Sequence, residues 1–353
     1  MKRSMLMTVA AAMAILISSC VNNEEVVPEE QLQIRQMDTG NDEFANERHI
    51  HLPEEIKINL PGLYPEGIAF NPWKKEFYVS SAKKGVITSI DFEGNTQTLT
   101  EEGNLITTTG MDFSFFTQKL YVCNGDAGVS EYSSPSTIAR LAQVGTLKQK
   151  YNSDINFEAL ELSGIYPGPQ LLNDLIRDWY GNTYITDSFS PVIYKIDRYG
   201  NKSVFAESEL FQAPVGSFGL NGIAWSPKGY LITAKYDEGK LFRVSTYDPT
   251  KTHEIKIDQD IASPDGLLMI NPHTLLMVGN NLGQAKGPVG VYKLQSFDNW
   301  RSAKVVDFMP VEENFPTTLT RVYNEVYVLY GEIDKLLTGG PEVHSFTIKK
   351  VSF

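Results

Sequence analysis

The chain has 353 residues, of which 42% are hydrophobic and 21% charged, and its formal net charge is −12. That length is enough to bury a sizeable core. The acidic balance repels phosphate backbones, so nucleic acid is not an expected partner.

Lys2 and Arg3 precede an apolar stretch from Met5 to Ile17, which ends at Ser18-Ser19-Cys20. The stretch is shorter than the roughly 20 apolar residues that a membrane-spanning helix needs. Basic head, apolar middle and small-residue end have the layout of a secretory signal over residues 1–19. The run into Cys20 resembles the lipobox of bacterial lipoproteins. That resemblance implies lipidation of Cys20, which becomes the new N-terminus, and a cell-envelope protein lipid-anchored to a bacterial membrane. The outer membrane is the expected one, at its periplasmic or surface face. Cys123 is the only other cysteine, so no intramolecular disulfide is expected and stability must come from the core. It ends the apolar strand Lys119-Leu120-Tyr121-Val122-Cys123 and reads as a packed thiol.

Residues 20–55 are rich in Glu, Asn, Gln and Asp and poor in large apolar side chains. Such a composition cannot offset its ordering entropy by burial, and a disordered, flexible acidic tether is expected. Its Glu24-Glu25 pair resembles surface-export signals of some Bacteroidetes lipoproteins.

From residue 56 to 353 a repeat runs through the chain. YPEGIAFNPWKKEFYVSS begins at Tyr64, LLNDLIRDWYGNTYITDS at Leu171, GLNGIAWSPKGYLITAKY at Gly219 and SPDGLLMINPHTLLMVGN at Ser263. Fainter copies begin at Thr107 and Phe315. Each reads as a polar position, an apolar strand, a turn cluster and a second β-rich strand. The polar positions are Glu66, Thr109, Asn173, Asn221, Asp265 and Thr317, spaced 43, 64, 48, 44 and 52 residues apart. Third strands follow, as in VIYKIDRYG and KLFRVSTYD, and fourth strands in NTQTLTEE and NKSVFAES. Six units of about four strands predict an all-β fold, a six-bladed β-propeller, in place of a sandwich or simple barrel. The long spacing predicts an insertion over Asn156–Pro169. The last blade is expected to be completed by a strand from before Tyr64, EIKINL, which removes an exposed edge.

In a propeller the first strand of each blade lines the channel, so the six polar positions converge at one mouth. The exits of the second strands, near Ser81, Asn124, Asp187, Tyr236, Asn280 and Gly331, should form a polar outer rim. Two carboxylates and two amide oxygens, from Glu66, Asp265, Asn173 and Asn221, suit a hard cation that takes about 6–8 oxygens. Ca²⁺ is the expected ion, with Mg²⁺, Mn²⁺ or Zn²⁺ as alternatives. The set contains no His or Cys, which disfavours a dedicated zinc site. Taken singly, the PEG, ND, NG and PDG sequences are ordinary turns; the shared register is what marks them.

At these residues the chain resembles the gluconolactonase, regucalcin (senescence marker protein) and luciferin-regenerating enzyme superfamily of six-bladed propellers, from about Leu60 to the C-terminus. The motifs are Pro65-Glu66-Gly67, Asn173-Asp174, Asn221-Gly222-Ile223-Ala224-Trp225 and Pro264-Asp265-Gly266. The resemblance implies that Glu66, Asn173, Asn221 and Asp265 hold the metal and that Asp265 is also the general base. Leu171 departs from the pattern, since sugar-lactone hydrolases of the superfamily often carry Arg there. Leu171, Asp174, Asp187 and Tyr236 are the candidate substrate contacts, and the aromatic neighbours Tyr64, Trp179, Phe189 and Tyr236 point to a less polar ligand.

Competing chemistries lack their motifs. No G-x-S-x-G elbow and no G-x-x-x-x-G-K-[ST] loop occurs, and the five histidines show no metal-ligand spacing. Two functions remain: metal-dependent hydrolysis of a lactone or related cyclic ester of small size, or a non-catalytic ligand- or partner-binding propeller with a structural Ca²⁺. The oligomeric state is not set by the sequence.

Overall fold

The computed structural model describes residues 52–149, 155–312 and 314–353. The signal segment, Cys20 and the tether up to residue 51 lie outside them. The described residues form six sheets, each a propeller blade, antiparallel throughout except for one short parallel edge strand in the fifth.

Strand β1 (Glu55–Ile58) comes first. Blade one is β2 (Ile68–Asn71), β3 (Glu76–Val79), β4 (Thr88–Ile90) and β5 (Thr96–Thr98). Blade two is β6 (Thr107–Ser114), β7 (Lys119–Gly125), β8 (Ala142–Gln149) and β9 (Ile155–Glu161). Blade three is β10 (Leu172–Arg177), β11 (Thr183–Asp187), β12 (Val192–Ile196) and β13 (Lys202–Glu207). Blade four is β14 (Leu220–Ser226), β15 (Tyr230–Lys235), β16 (Lys240–Ser245) and β17 (Thr252–Glu254). Blade five adds the short β18 (Lys256–Ile257) to β19 (Ser263–Asn271), β20 (Thr274–Asn280), β21 (Gly290–Gln295) and β22 (Ser302–Pro310). Blade six is β23 (Pro316–Val322), β24 (Glu325–Tyr330) and β25 (Phe346–Lys350), with β1 as its outer strand. One helical turn, α1 (Ile333–Leu337), follows β24.

The ring therefore closes with an early strand. Ile56 pairs with Ile348 and Ile58 with Phe346, and the Tyr327 hydroxyl donates to the Pro53 carbonyl at 2.6 Å. The blade-six edge is thus covered by apolar β1 side chains that pack into the core beside Phe77 and Tyr327. The core is a series of such clusters between adjacent sheets, each filled by the inward-facing residues of two blades. Cys123 is buried in one of them.

The expected insertion lies elsewhere. Residues 155–161 form β9, the fourth strand of blade two, because Phe157 and Leu160 have cross-strand partners in Leu147 and Val144. The extra length sits mainly between β7 and β8. There the buried Asp126 carboxylate accepts from Gly128 N at 2.8 Å, Ser133 Oγ at 2.6 Å and Thr137 Oγ1 at 2.7 Å, folding the loop around itself.

A bulge recurs at the same register of the inner strands. Pairing shifts between Thr108 and Met111, Leu172 and Leu175, Leu220 and Ile223, Pro264 and Leu267, and Pro316 and Thr318. Bulges re-aim the side chain they contain. Here each one contains the polar ring position. The residue after it touches the next blade: a Cβ on Gly67 would stand 2.2 Å from the Thr109 carbonyl oxygen, and one on Gly222 2.1 Å from that of Asp265. At these two positions backbone meets backbone, and only glycine fits there.

Gly222→Ala should therefore wedge blades four and five apart. An overpacking cost of about 1–3 kcal/mol is expected to lower the melting temperature by several degrees, measured by calorimetry. An unchanged melting temperature would show that the contact can relax.

Candidate functional site

Glu66, Thr109, Asn173, Asn221, Asp265 and Thr317 all line one cavity at the channel mouth. The space is about 620 Å³, open solvent at its mouth included. Bulges carry all of these side chains but Glu66 inward, while the loops after the second strands and those that join one blade to the next supply the walls. Those walls are largely apolar, with Leu171, Phe218, Tyr236, Leu282, Phe315 and Leu336 among them.

Two oxygens of the polar ring positions have no partner. Glu66 Oε2 and Asn173 Oδ1 are buried without a hydrogen bond. A native interior leaves few such atoms, and an ion or ordered water is the usual reason for one. Glu66 is held from behind, its backbone N–H and that of Gly67 donating to Ser80 Oγ at 3.3 and 2.7 Å. Tyr64, two residues earlier, has φ +46 ahead of a proline, a conformation L-residues rarely adopt. Its hydroxyl accepts from Val343 N at 3.0 Å, and its ring packs edge-on against Phe346.

Asp265 is positioned by a relay. Its Oδ2 accepts from Asn280 Nδ2 at 2.6 Å, and the Asn280 Oδ1 accepts from the Tyr236 hydroxyl. Asn280 also donates to the Pro316 carbonyl at 3.2 Å, which ties it to blade six.

The electrostatics follow from burial. Burial pushes Asp265 up to about 8, against the hydrogen bond from Asn280 and aided by the charge of Asp174. Glu66 is pushed well above the ordinary carboxylate range by burial first, then by Asp265 and Asp174. Tyr236 is raised by burial and by Asp265. None of these shifts has a cation opposing it. Among the described residues, no group of three or more His, Cys, Asp or Glu side chains gathers as a metal site. An ion here would be held by two carboxylates and two amide oxygens, a donor set that fits a hard, oxygen-liganded cation.

Solved structures share this fold. The major Malassezia sympodialis allergen Mala s 1 matches with a TM-score of 0.63 and 17% identity over 86% of this chain and 97% of that one. A luciferin-regenerating enzyme matches with a TM-score of 0.58 and 12% identity over 85% and 97%. XC5397 of Xanthomonas campestris, described as a gluconolactonase, matches with a TM-score of 0.56 and 15% identity over 85% and 91%. The fold is that of the gluconolactonase and luciferin-regenerating enzyme propellers. No protein-family model and no curated protein matches the chain.

Of the candidate substrate contacts, Leu171 and Tyr236 line the cavity, and Asp174 and Asp187 do not. Asp174 accepts from Leu175 N at 2.8 Å and Ile223 N at 3.1 Å, bridging blades three and four. Burial raises it to about 7. Asp187 is fully buried and accepts from Leu171 N and Phe189 N at 2.9 Å, Ser190 N at 3.1 Å and the Tyr194 hydroxyl at 3.2 Å. These two carboxylates are taken up by backbone N–H groups because they sit where inner strands and loops leave donors unpaired. The expected polar rim is likewise largely internal, since Asn124 and Asn280 are buried. Trp179 lies on the β10–β11 turn, at the far end of the blade, with 65% exposure. Phe189 stacks on Phe218, one layer behind the cavity wall.

Sequence reasoning placed Asn280 only on the rim, not against Asp265, and missed α1. Asn280 had a signal in the polar residues that end the second strands. Helix α1 had one in Ile333, Leu336 and Leu337, apolar at helical spacing before Gly339-Gly340. All three line the cavity. Glu332, just before the helix, accepts from Phe315 N at 3.1 Å and pairs with Lys335, which pins the helix over the mouth.

The raised carboxyls predict a pH signature. In the unfolded chain an Asp ionises near pH 4, whereas folded Asp265 holds its proton to about pH 8. Between these limits the folded state binds more protons, so stability is full below about pH 4 and is lost as pH rises toward about 8. With a chelator present, the melting temperature should fall from about pH 5 to about pH 8. A cation that binds the ionised site should reverse this, so added Ca²⁺ should raise the melting temperature more at about pH 8 than at about pH 5. Equal Ca²⁺ shifts at both values would contradict the reading.

Proposed function

We infer that the protein is a metal-dependent hydrolase of a lactone or related cyclic ester, with Ca²⁺ as its ion. The observation that carries this is the pair of buried, unpartnered oxygens, Glu66 Oε2 and Asn173 Oδ1, in one cavity with Asn221 and Asp265. The motif resemblance and the gluconolactonase among the similar folds support the reaction class.

Glu66, Asn173, Asn221 and Asp265 would hold the ion. When bound, it supplies positive charge that polarises a carbonyl oxygen and favours the ionised forms of Glu66 and Asp265. Asp265 keeps one carboxylate oxygen fixed by Asn280 and uses the other to take a proton from the attacking water. The water oxygen bonds to the carbonyl carbon. The ring C–O bond then breaks, and its oxygen receives the proton back from Asp265, giving a hydroxy acid. Ring opening keeps both product groups on one molecule, so the site needs no separate leaving-group pocket. Leu171, Phe218, Leu282 and Leu336 press an apolar surface on the substrate and exclude water. They favour an apolar lactone over a polyhydroxylated one, because a sugar hydroxyl buried against Leu171 would lose its hydrogen bonds.

Asp265→Asn should lower turnover by about a hundredfold to ten-thousandfold, and the loss should persist when calorimetry shows the site filled with Ca²⁺. Leu171→Arg should shift kcat/KM from apolar lactones toward gluconolactone. Restoration of activity by excess metal alone would limit Asp265 to ion binding. If neither protein shows metal-dependent hydrolysis across a lactone panel, the propeller is a binding module with a structural ion.

The N-terminal motif supports an envelope lipoprotein acylated at Cys20. Cys20→Ala should abolish acyl labelling and release the protein from membranes. Unchanged detergent partitioning of the variant would refute the anchor.

A further inference from the structure

The end of the propeller opposite the cavity carries a belt of exposed aromatic side chains. The inner strands start at the cavity, so the turns between first and second strands, and between third and fourth, all lie at the far end. Trp73 (55% exposed), Phe116 (69%) and Trp179 (65%) project from first turns of blades one to three. Tyr199 (74%), Tyr247 (82%) and Phe297 (78%) project from the later turns of blades three to five. The large exposed side chains of the loops at the cavity end, by contrast, are the aliphatic Ile138, Leu210 and Val215.

The turns are built to present these tips. Asp178 Oδ1 accepts from Tyr180 N and Asn182 N, while its Oδ2 accepts from Asn182 Nδ2. Asp197 and Asn201 repeat the pattern around Arg198 and Tyr199, and Asp91 and Asn95 repeat it around Phe92 and Glu93. The carboxylates are thus turned into their own loops, and in the two blade-three turns an aromatic side chain is left at the tip. Lys75, Arg198, Lys228 and Arg301 stand exposed among the rings. Neighbouring blades also touch there, as in Trp73 stacked on Phe115 of the next turn at 4.9 Å and Trp179 against Trp225 of strand β14 at 5.1 Å.

The chain enters at this same end. Strand β1 pairs Glu55 with Lys349 and Ile58 with Phe346, which sets Glu55 at the far end and Ile58 toward the cavity. The backbone N–H of Lys350 donates to the Glu54 carbonyl there. A lipid on Cys20 would therefore connect to the aromatic end, through residues 21–51, whose contour is at most roughly 110 Å.

We propose that this aromatic end docks on the headgroup region of the membrane that holds the anchor, leaving the cavity open on the side away from the bilayer. It rests on the anchor at Cys20 and not on the chemistry of the cavity. Trp and Tyr favour the membrane–water interface, where an apolar ring and a polar edge are both satisfied. Lys and Arg between them meet lipid phosphates, and each apolar side chain that enters the interface adds to the hold of the acyl chains. Among the described residues no helix is long and apolar enough to cross a membrane, so the contact is made by side chains from turns.

The test uses the full-length, acylated protein on vesicles of phosphatidylethanolamine with a minority of phosphatidylglycerol, with and without brominated lipid. Bromine quenches tryptophan only at bilayer depth, and Trp73 and Trp179 are the reporters. Quenching is expected in the wild type and should fall at least about threefold in a variant carrying Phe116→Ser, Tyr199→Ser, Tyr247→Ser and Phe297→Ser, which keeps both reporters and loses the apolar contacts. These side chains are exposed, so the melting temperature should stay the same, and flotation with vesicles should persist through the anchor. Flotation without quenching, or equal quenching in both proteins, would overturn the docking and leave the anchor standing. Flotation without quenching, together with retention on insoluble cell-wall polysaccharide, would reassign the aromatic belt to sugar stacking. Failure to float would overturn the anchor and the docking together.

Discussion

The structure depends on the close approach of six inner strands at one end of the channel. At Gly67 and Gly222 the gap between neighbouring blades is too small for a methyl group. Where blade three has Asp174 in place of glycine, Gly110 of blade two leaves room for its carboxylate, which reaches across to Ile223 of blade four. The bulge that permits this approach is the same irregularity that swings Thr109, Asn173, Asn221, Asp265 and Thr317 into the cavity. Closure of the ring and construction of the site are one event in the backbone.

That arrangement carries an electrostatic cost. Glu66, Asp174 and Asp265 are brought within mutual influence in a buried setting, with no Lys or Arg among the cavity-lining side chains. Each would be more stable neutral. A purely structural channel mouth would be filled with apolar residues, as the cores between the blades are. Retained buried carboxyls with unpartnered oxygens mark a place organised for something other than stability. The relay from Tyr236 through Asn280 to Asp265 adds orientation, because it fixes one carboxylate oxygen of Asp265.

The two ends of the propeller differ in chemistry for a topological reason. Loops at the cavity end connect second to third strands and one blade to the next. They are long enough to fold over the mouth, as α1 and the Asp126 loop do. Turns at the far end are short, and Asp178 and Asp197 spend their carboxylates on turn geometry, so the residues at the tips are free to be aromatic.

The repeat was legible in the sequence because each blade needs the same local pattern, a polar position followed by two apolar strands and a turn. The spacing of Glu66, Thr109, Asn173, Asn221, Asp265 and Thr317 gave six blades and one convergent mouth, and EIKI could be assigned to the last blade because an open edge needs a partner. What the sequence could not decide was the fate of side chains whose surroundings come from other blades. Asp174 and Asp187 look like site residues in one dimension, yet unpaired backbone N–H groups take them up. Asn280 looks like rim and is a buried strut. The segment 155–161 looks like an insertion and is a strand, since only the neighbouring β8 makes it one. Burial, hydrogen-bond partners and the pKa changes that follow are properties of the assembled ring, and they appear only when residues far apart in the chain share a wall.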